Sequence, residues 1–343
     1  MFDADTHMLA EIREAPEAVA RQTQALRTPL ADLAARLRHR PPQVVVTCAR
    51  GSSAHAATFG KHLIERYLRI PVAAAAPSVA TVYGQRLRLE GQLFLAISQS
   101  GRSDDLVEQA TAARAAGAVT VALVNATDSP LAQVSDLVLP MEAGPELSVA
   151  ATKTFIASVS ALLRLAALWT EDRDMSAALD RLPERLREAA ELDWAEALTD
   201  FETATSLVTI GRGPTLAIAR EASLKLKETC NLHAEAFSGA EFLHGPVALV
   251  DDNYPMIMFM PMDAAQHGLR TLAQNLRGKG ASLFVAEPGD TMPGRLPALA
   301  PDHPEADAIC LVQSFYGVAV RLAKLRGMDV DRPRHLQKVT RTR

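Results

Sequence analysis

The chain has 343 residues, more than the ~250–300 at which single hydrophobic cores stop growing, so two domains are expected. Hydrophobic residues make up 48%, which excludes disorder as the main state. Lys and Arg number 36 against 40 Asp and Glu, a net charge of -4, which argues against nucleic acid as the main partner.

The N-terminus, Met1-Phe2-Asp3-Ala4-Asp5, is acidic where a secretory signal needs a basic start, so a cytoplasmic location is expected. The richest apolar stretch, residues 157–169, is interrupted by Arg164, so no transmembrane helix is expected. Cys48, Cys230 and Cys310 are too far apart for a disulfide framework or a close zinc-binding pair, which suits a reducing compartment.

In chain order, a helical segment over residues 6–38 comes first. Residues 43–48 (QVVVTC) read as a buried strand and 54–66 as the helix after it. A strand at 93–97 (LFLAI) precedes a helix at 104–116, a strand at 119–124 (VTVALV) and a short strand at 136–140. A long helix over 152–168 follows. A charged helical connection covers 176–195. Strands then return at 207–210 (LVTI), 255–260 (PMIMFM) and 281–285 (ASLFV), and a basic tail ends the chain at 331–343. Strands separated by helices of this length imply parallel sheets with helices on both faces. Three strand positions recur after about 162 residues, which implies two α/β domains of similar topology.

Five stretches carry chemistry. In Ser98-Gln99-Ser100-Gly101-Arg102-Ser103 a strand ends, a hydroxyl-rich turn follows and a helix begins. Backbone N–H groups there and the positive end of the helix make an anion site. No lysine follows at P-loop spacing, so a phosphate ester fits better than a triphosphate. A simple serine helix cap is the plainer alternative. Arg50-Gly51-Ser52-Ser53 is a second such turn, at the strand ends where doubly wound sheets bind ligands. Gly211-Arg212-Gly213 is the equivalent turn of the second half, a tight turn with close backbone approach rather than a dinucleotide fingerprint.

The third stretch is 220–235. Glu221, Lys225 and Glu228 fall at i, i+4 and i+7, on one helix face. Proton transfer at a sugar carbon needs a carboxylate base held near a cation, and Glu228 beside Lys225 supplies one. A surface ion-pair stripe is the alternative. The fourth, 236–246 (AFSGAEFLHGP), reads as a small-residue loop carrying Glu241 and His244, the latter suited to acid–base work near neutral pH. His233, Glu235, Glu241 and His244 lack metalloprotease spacing, so no metal is expected. The fifth is the tail, Asp331 to Thr340.

The serine turn, GPELSVAATKTF (144–155), EASLKLKETCNLHAEAFSGAEFLHGP (221–246) and DVDRPRHLQKVT (329–340), in that order, resemble the sugar isomerase (SIS) family, which includes the isomerase half of glucosamine-6-phosphate synthase. The resemblance covers residues 35–343. It implies an α/β chain with two flavodoxin-like SIS domains, each a parallel sheet with helices on both faces. The expected boundaries are 1–38 for the N-terminal helical segment, 39–172 for the first domain, 173–198 for the linker, 199–328 for the second domain and 329–343 for an active-site tail. Ser98, Gln99, Ser100 and Ser103 match the family's phosphate loop, and Ser53 a sugar-contacting serine. Glu228 matches the base that moves a proton between C1 and C2, Lys225 its neighbouring lysine, and Lys338, preceded by Gln337, the tail lysine that approaches the sugar carbonyl. His244 matches the ring-opening histidine, which in that family comes from the neighbouring subunit of a dimer.

The departures narrow the reading. The synthase has a nucleophilic Cys after its initial Met, where this chain has Phe2, so glutamine hydrolysis is not expected of it. Arg50 replaces a small Cys, Arg102 replaces a Glu, and Gln337 replaces a small residue. RGSS, SQSGRS and SGAEFLHGP together resemble stand-alone SIS-type glucosamine-6-phosphate deaminases. The expected activity is therefore isomerising deamination of glucosamine 6-phosphate, without cofactor, in a homodimer with shared sites, with a 6-phosphosugar as partner and neither nucleic acid nor membrane. A synthase-like isomerase or a deaminase or deglycase of another 6-phosphosugar amine is the second reading. A non-catalytic phosphosugar sensor is the third, which the presence of Glu228 and His244 disfavours.

Overall fold

A computed structural model describes residues 6–338. Met1 to Asp5, on which the signal-peptide argument rested, and Val339 and Thr340 of the tail motif lie outside the described residues. The chain forms two compact units. One comprises residues 17–146, 153–179 and 337–338, the other residues 6–16, 147–152 and 180–336.

The first unit holds strands β1 (Val45–Ala49), β2 (Val72–Ala74), β3 (Leu93–Ser98), β4 (Val119–Val124) and β5 (Leu137–Pro140). All pairs are parallel, in the order β2-β1-β3-β4-β5. Val45, Val46, Cys48 and the whole of β3 are buried, which is why these strands read as unbroken apolar runs. The second unit holds β6 (Ser206–Gly211), β7 (His233–Ser238), β8 (Pro255–Phe259), β9 (Ser282–Ala286) and β10 (Arg295–Leu296), ordered β10-β9-β8-β6-β7, again all parallel. Read from β7, that is the order of the first sheet, so each unit is a flavodoxin-like sheet with helices on both faces.

Three strands differ from the sequence expectation. β2 and β7 are the outer strands beside β1 and β6, and β10 closes the opposite edge of its sheet. β7 is HAEAFS, small and polar, and only its pairing with β6 from Ser206↔His233 to Gly211↔Ser238 makes it a strand. Edge strands need no apolar run, because one side carries no neighbour. The 236–246 stretch is therefore not one loop: β7 ends at Ser238, the helix Gly239–Phe242 follows, then a 3₁₀ turn at Pro246–Leu249. The N-terminal segment is two helices, His7–Ala25 and Arg27–His39.

Among the described residues two helices, Lys153–Thr170 and Pro304–Leu325, are long and apolar enough by length and composition to cross a bilayer, but 83% and 72% of their apolar windows are buried inside the protein. They are core helices. All three cysteines are free and buried. Burial pushes the Cys48 and Cys310 thiols up to about 12 and Cys230 to about 11, so none offers a thiolate near neutral pH.

In the second unit the tail is tied down by its own side chains. Asp331 accepts hydrogen bonds from the N–H groups of His7 and Met8, both at 2.8 Å, and so caps the helix His7–Ala25. Its carbonyl accepts from Val149 N–H at 3.2 Å. The nearby buried Glu11 accepts from Ser148 N–H at 3.3 Å and from the Ser148 hydroxyl. Three segments remote in sequence meet there.

Candidate active site

The serine turn leaves β3 and enters the helix Asp104–Ala115. Gly101 N–H donates to Ser98 Oγ at 3.1 Å, and Arg102 N–H to Ser100 Oγ at 3.3 Å. Ser103 occupies the cap position, yet its side chain makes no capping hydrogen bond. The plainer reading of Ser103 as a cap therefore fails. Ser53 lies in the first turn of the helix Gly51–Leu63, which follows β1. β1 and β3 pair in register up to Ala49↔Ile97, so the two serine-bearing turns leave the sheet side by side. This is where the strand order reverses, the usual ligand crevice of a doubly wound sheet.

Gly101 is required by both conformation and space. Its φ is +61°, and an added Cβ would lie 2.1 Å from Ser129 Oγ. Its carbonyl also accepts from Leu131 N–H at 3.1 Å, which seats the turn on the helix Pro130–Val134. Gly101→Ala is expected to cost roughly 1–3 kcal/mol through the strained backbone alone. It should also weaken sugar-phosphate binding. Chemical denaturation and titration of fructose 6-phosphate check this, and unchanged values in both would remove the turn from the site.

Lys338 sits in the same unit. Its Nζ lies 2.9 Å from Glu146 Oε2. Glu146 is buried and also accepts from Thr154 N–H at 3.1 Å and Thr154 Oγ1 at 2.7 Å. One carboxylate thus binds both the first turn of the helix Lys153–Thr170 and the tail lysine. Sequence reasoning noted the motif around Glu146 without giving that residue a role. Gln337 is exposed.

In the other unit the helix Pro214–Cys230 starts at a tight turn. A Cβ on Gly211 would come within 2.2 Å of Thr215 O, and Gly213 has φ +58°, which bears out the close backbone approach. Lys225 and Glu221 are completely buried, and Lys225 Nζ is 3.4 Å from Glu221 Oε1. Lys225 also donates to Glu228 Oε2. The Tyr316 hydroxyl donates to Glu221 Oε1 at 3.4 Å. The stripe is thus not a surface feature: one buried ammonium lies between two carboxylates, and only Glu228, with a side chain 22% exposed, reaches the surface. It lines an open cleft of about 430 Å³ with Asn231, Met328, Arg332, Arg334 and His335 among the walls. A carboxylate fixed by a cation and open to a cleft can exchange protons with a small molecule.

His244 lies beyond the helix Gly239–Phe242 and is exposed; its N–H donates to Glu241 O at 2.9 Å. Beside it Leu243 and Leu249 are 53% and 52% exposed. Among the described residues no three His, Cys, Asp or Glu side chains gather as a metal site would. The serine turns and Lys338 belong to one unit, and Glu228, Lys225 and His244 to the other.

Two parallel sheets of identical strand order, with a serine-rich turn at the switch point of one and a lysine-held carboxylate in the other unit, define a doubly wound α/β class of protein. The SIS domain family model matches residues 40–168 and 200–286, and the chain belongs to that family. It is 33% identical over 320 residues to the isomerizing glutamine--fructose-6-phosphate aminotransferase of Zymomonas mobilis, covering 86% of this chain and 51% of that protein. The chain thus spans about half the length of the curated relatives it matches. A provisionally named phosphosugar isomerase from Silicibacter pomeroyi DSS-3 superposes with TM-score 0.90 at 46% identity, over 95% of this chain and 100% of that one. The glucosamine-6-phosphate deaminase of Thermotoga maritima shares the fold, with TM-score 0.77 at 22% identity, over 98% of this chain and 100% of that one.

Proposed function

We propose that this chain deaminates and isomerises glucosamine 6-phosphate, giving fructose 6-phosphate and ammonia with consumption of water. The observation that carries the reading is Glu228, held by the buried Lys225 and open to a cleft. In the open-chain sugar the C2 hydrogen is acidic because C1 is a carbonyl. Glu228 takes that proton and returns it to C1, which converts the C2 amine to an imine. Water adds at C2 and ammonia leaves. No metal or organic cofactor is required, since the carbonyl itself stabilises the carbanion.

The other roles follow. His244 assists ring opening. Its exposed position beside half-exposed leucines suits contribution to the site of a second copy in a homodimer. Ser98, Gln99, Ser100 and Ser103 hold the phosphate, and Ser53 contacts the sugar. Lys338 and Lys225 offset charge developing on the O1/O2 side. Gln337, exposed and next to Lys338 in the chain, is a further sugar-contacting residue in this reading. Buried, uncharged thiols fit a cytoplasmic setting.

Isomerisation without ammonia release is the second reading, favoured by the 33% identity to the aminotransferase. Ammonia assayed against a panel of 6-phosphorylated amino sugars and fructosamines separates the two. Release from glucosamine 6-phosphate with matching fructose 6-phosphate supports deamination. Turnover of a fructosamine instead makes the chain a deglycase. Aldose–ketose exchange with no ammonia from any substrate makes it an isomerase.

A further inference from the structure

We infer that Arg50 is a direct ligand of the substrate's phosphoryl group, oriented for that task by Asp105. The inference rests on the phosphosugar reading above and adds to it a cation that the serine turn itself lacks.

Arg50 stands at the end of β1, in extended backbone, just before Gly51. The β1–β3 register places it level with Ser98, the first residue of the anion turn. Its guanidinium grips Asp105 side-on, with Nε at 3.1 Å and Nη2 at 2.8 Å from the same oxygen, Oδ2. Asp105 is 3% exposed, whereas the Arg50 side chain is 51% exposed. A buried carboxylate therefore holds an exposed guanidinium in one orientation, and the Nη1 edge lies outside that contact.

The charge balance calls for such an arrangement. Asp104 and Asp105 both occupy the first turn of the helix that follows the anion turn. Acidic groups there stabilise the helix but oppose a dianionic ligand at the same end. Arg50 cancels the buried charge of Asp105 and adds donors in a fork that matches phosphate geometry. Serine hydroxyls and backbone N–H groups alone carry no full positive charge.

The test measures fructose 6-phosphate binding by calorimetry on the full chain and on Arg50→Ala, Arg50→Lys and the double variant Arg50→Ala/Asp105→Asn. Thermal melts accompany each titration. Arg50→Ala should weaken binding on the order of 10- to 100-fold, the range for hydrogen bonds to charged groups. Arg50→Lys should recover only part of it, because a point charge lacks the fork. The double variant leaves no unpaired buried carboxylate, so it should fold even if Arg50→Ala does not, and it should stay as weak as Arg50→Ala. Inorganic phosphate should compete with the sugar phosphate in the wild-type chain and lose that competition in the double variant. Binding within three-fold of wild type in the double variant would overturn the inference and reduce Arg50 to a counter-charge for Asp105. If the wild-type chain binds no sugar phosphate at all, the phosphosugar reading itself falls, a result distinct from a silent Arg50.

Discussion

Replacing Glu228 with glutamine should lower turnover about 10²–10⁴-fold, the usual loss when a general base is removed, while sugar-phosphate affinity changes little. The amide keeps the shape of the side chain and its place at the cleft, and removes the proton acceptor. The substitution lies outside the serine turn proposed to hold the phosphate, so the binding contribution should be untouched. Steady-state kinetics with titration of fructose 6-phosphate checks both halves of the expectation. Solvent-hydrogen exchange at C1 and C2 should fall with turnover. A variant that keeps activity within a few-fold of wild type would assign the proton transfer to another group.

Lys225→Met is expected to have the largest effect on stability. The ammonium is fully buried between Glu221 and Glu228, and Glu221 is as buried as the lysine. Removing the cation leaves the Glu221 carboxylate buried without that counter-charge, while the Tyr316 hydroxyl donates to it at 3.4 Å. Breaking a buried ion pair from one side costs about 3–5 kcal/mol. For a domain of this size that lowers the melting temperature on the order of 10 °C. Activity should fall as well, because Glu228 loses the group that orients it. Glu221→Gln/Lys225→Met takes away both buried charges and should recover much of the stability without recovering turnover. Melting curves of the single and double variants test this. Equal loss in both would mean that the packing of the lysine stem, rather than the charge, is what the helix depends on.

Much of the fold was legible because burial on both faces leaves a mark in the chain. β1, β3, β4 and β8 are apolar runs, and such runs separated by helices mean a parallel sheet. β2 and β7 escaped because they are edge strands: Val72-Ala73-Ala74 is too short to register, and His233 to Ser238 is held by β6 rather than by its own composition. The two glycine turns were legible for a different reason. Positive φ at Gly101 and Gly213 and the close approach at Gly211 admit few other residues, so their purpose shows in the residue type.

The candidate site divides in the same way. Helical spacing alone placed Glu221, Lys225 and Glu228 on one face. Spacing could not say whether that face meets water, which decides between a weak surface stripe and a buried ion pair. The tertiary structure decided it by packing Tyr316 and its helix, Pro304–Leu325, against that face. Two partnerships were likewise invisible in the chain. Glu146 and Lys338 are 192 positions apart, and Arg50 and Asp105 are 55 apart. Neither pair has a local period to betray it, since each is brought together by strand order and by the return of the tail. What the sequence determined by itself was residue chemistry and local geometry: a serine-rich turn between a strand and a helix, a carboxylate beside a lysine, two sheets of one topology. What only the tertiary structure decided was burial and long-range pairing. Those depend on which surfaces the folded chain removes from water, and no window along the sequence contains that information.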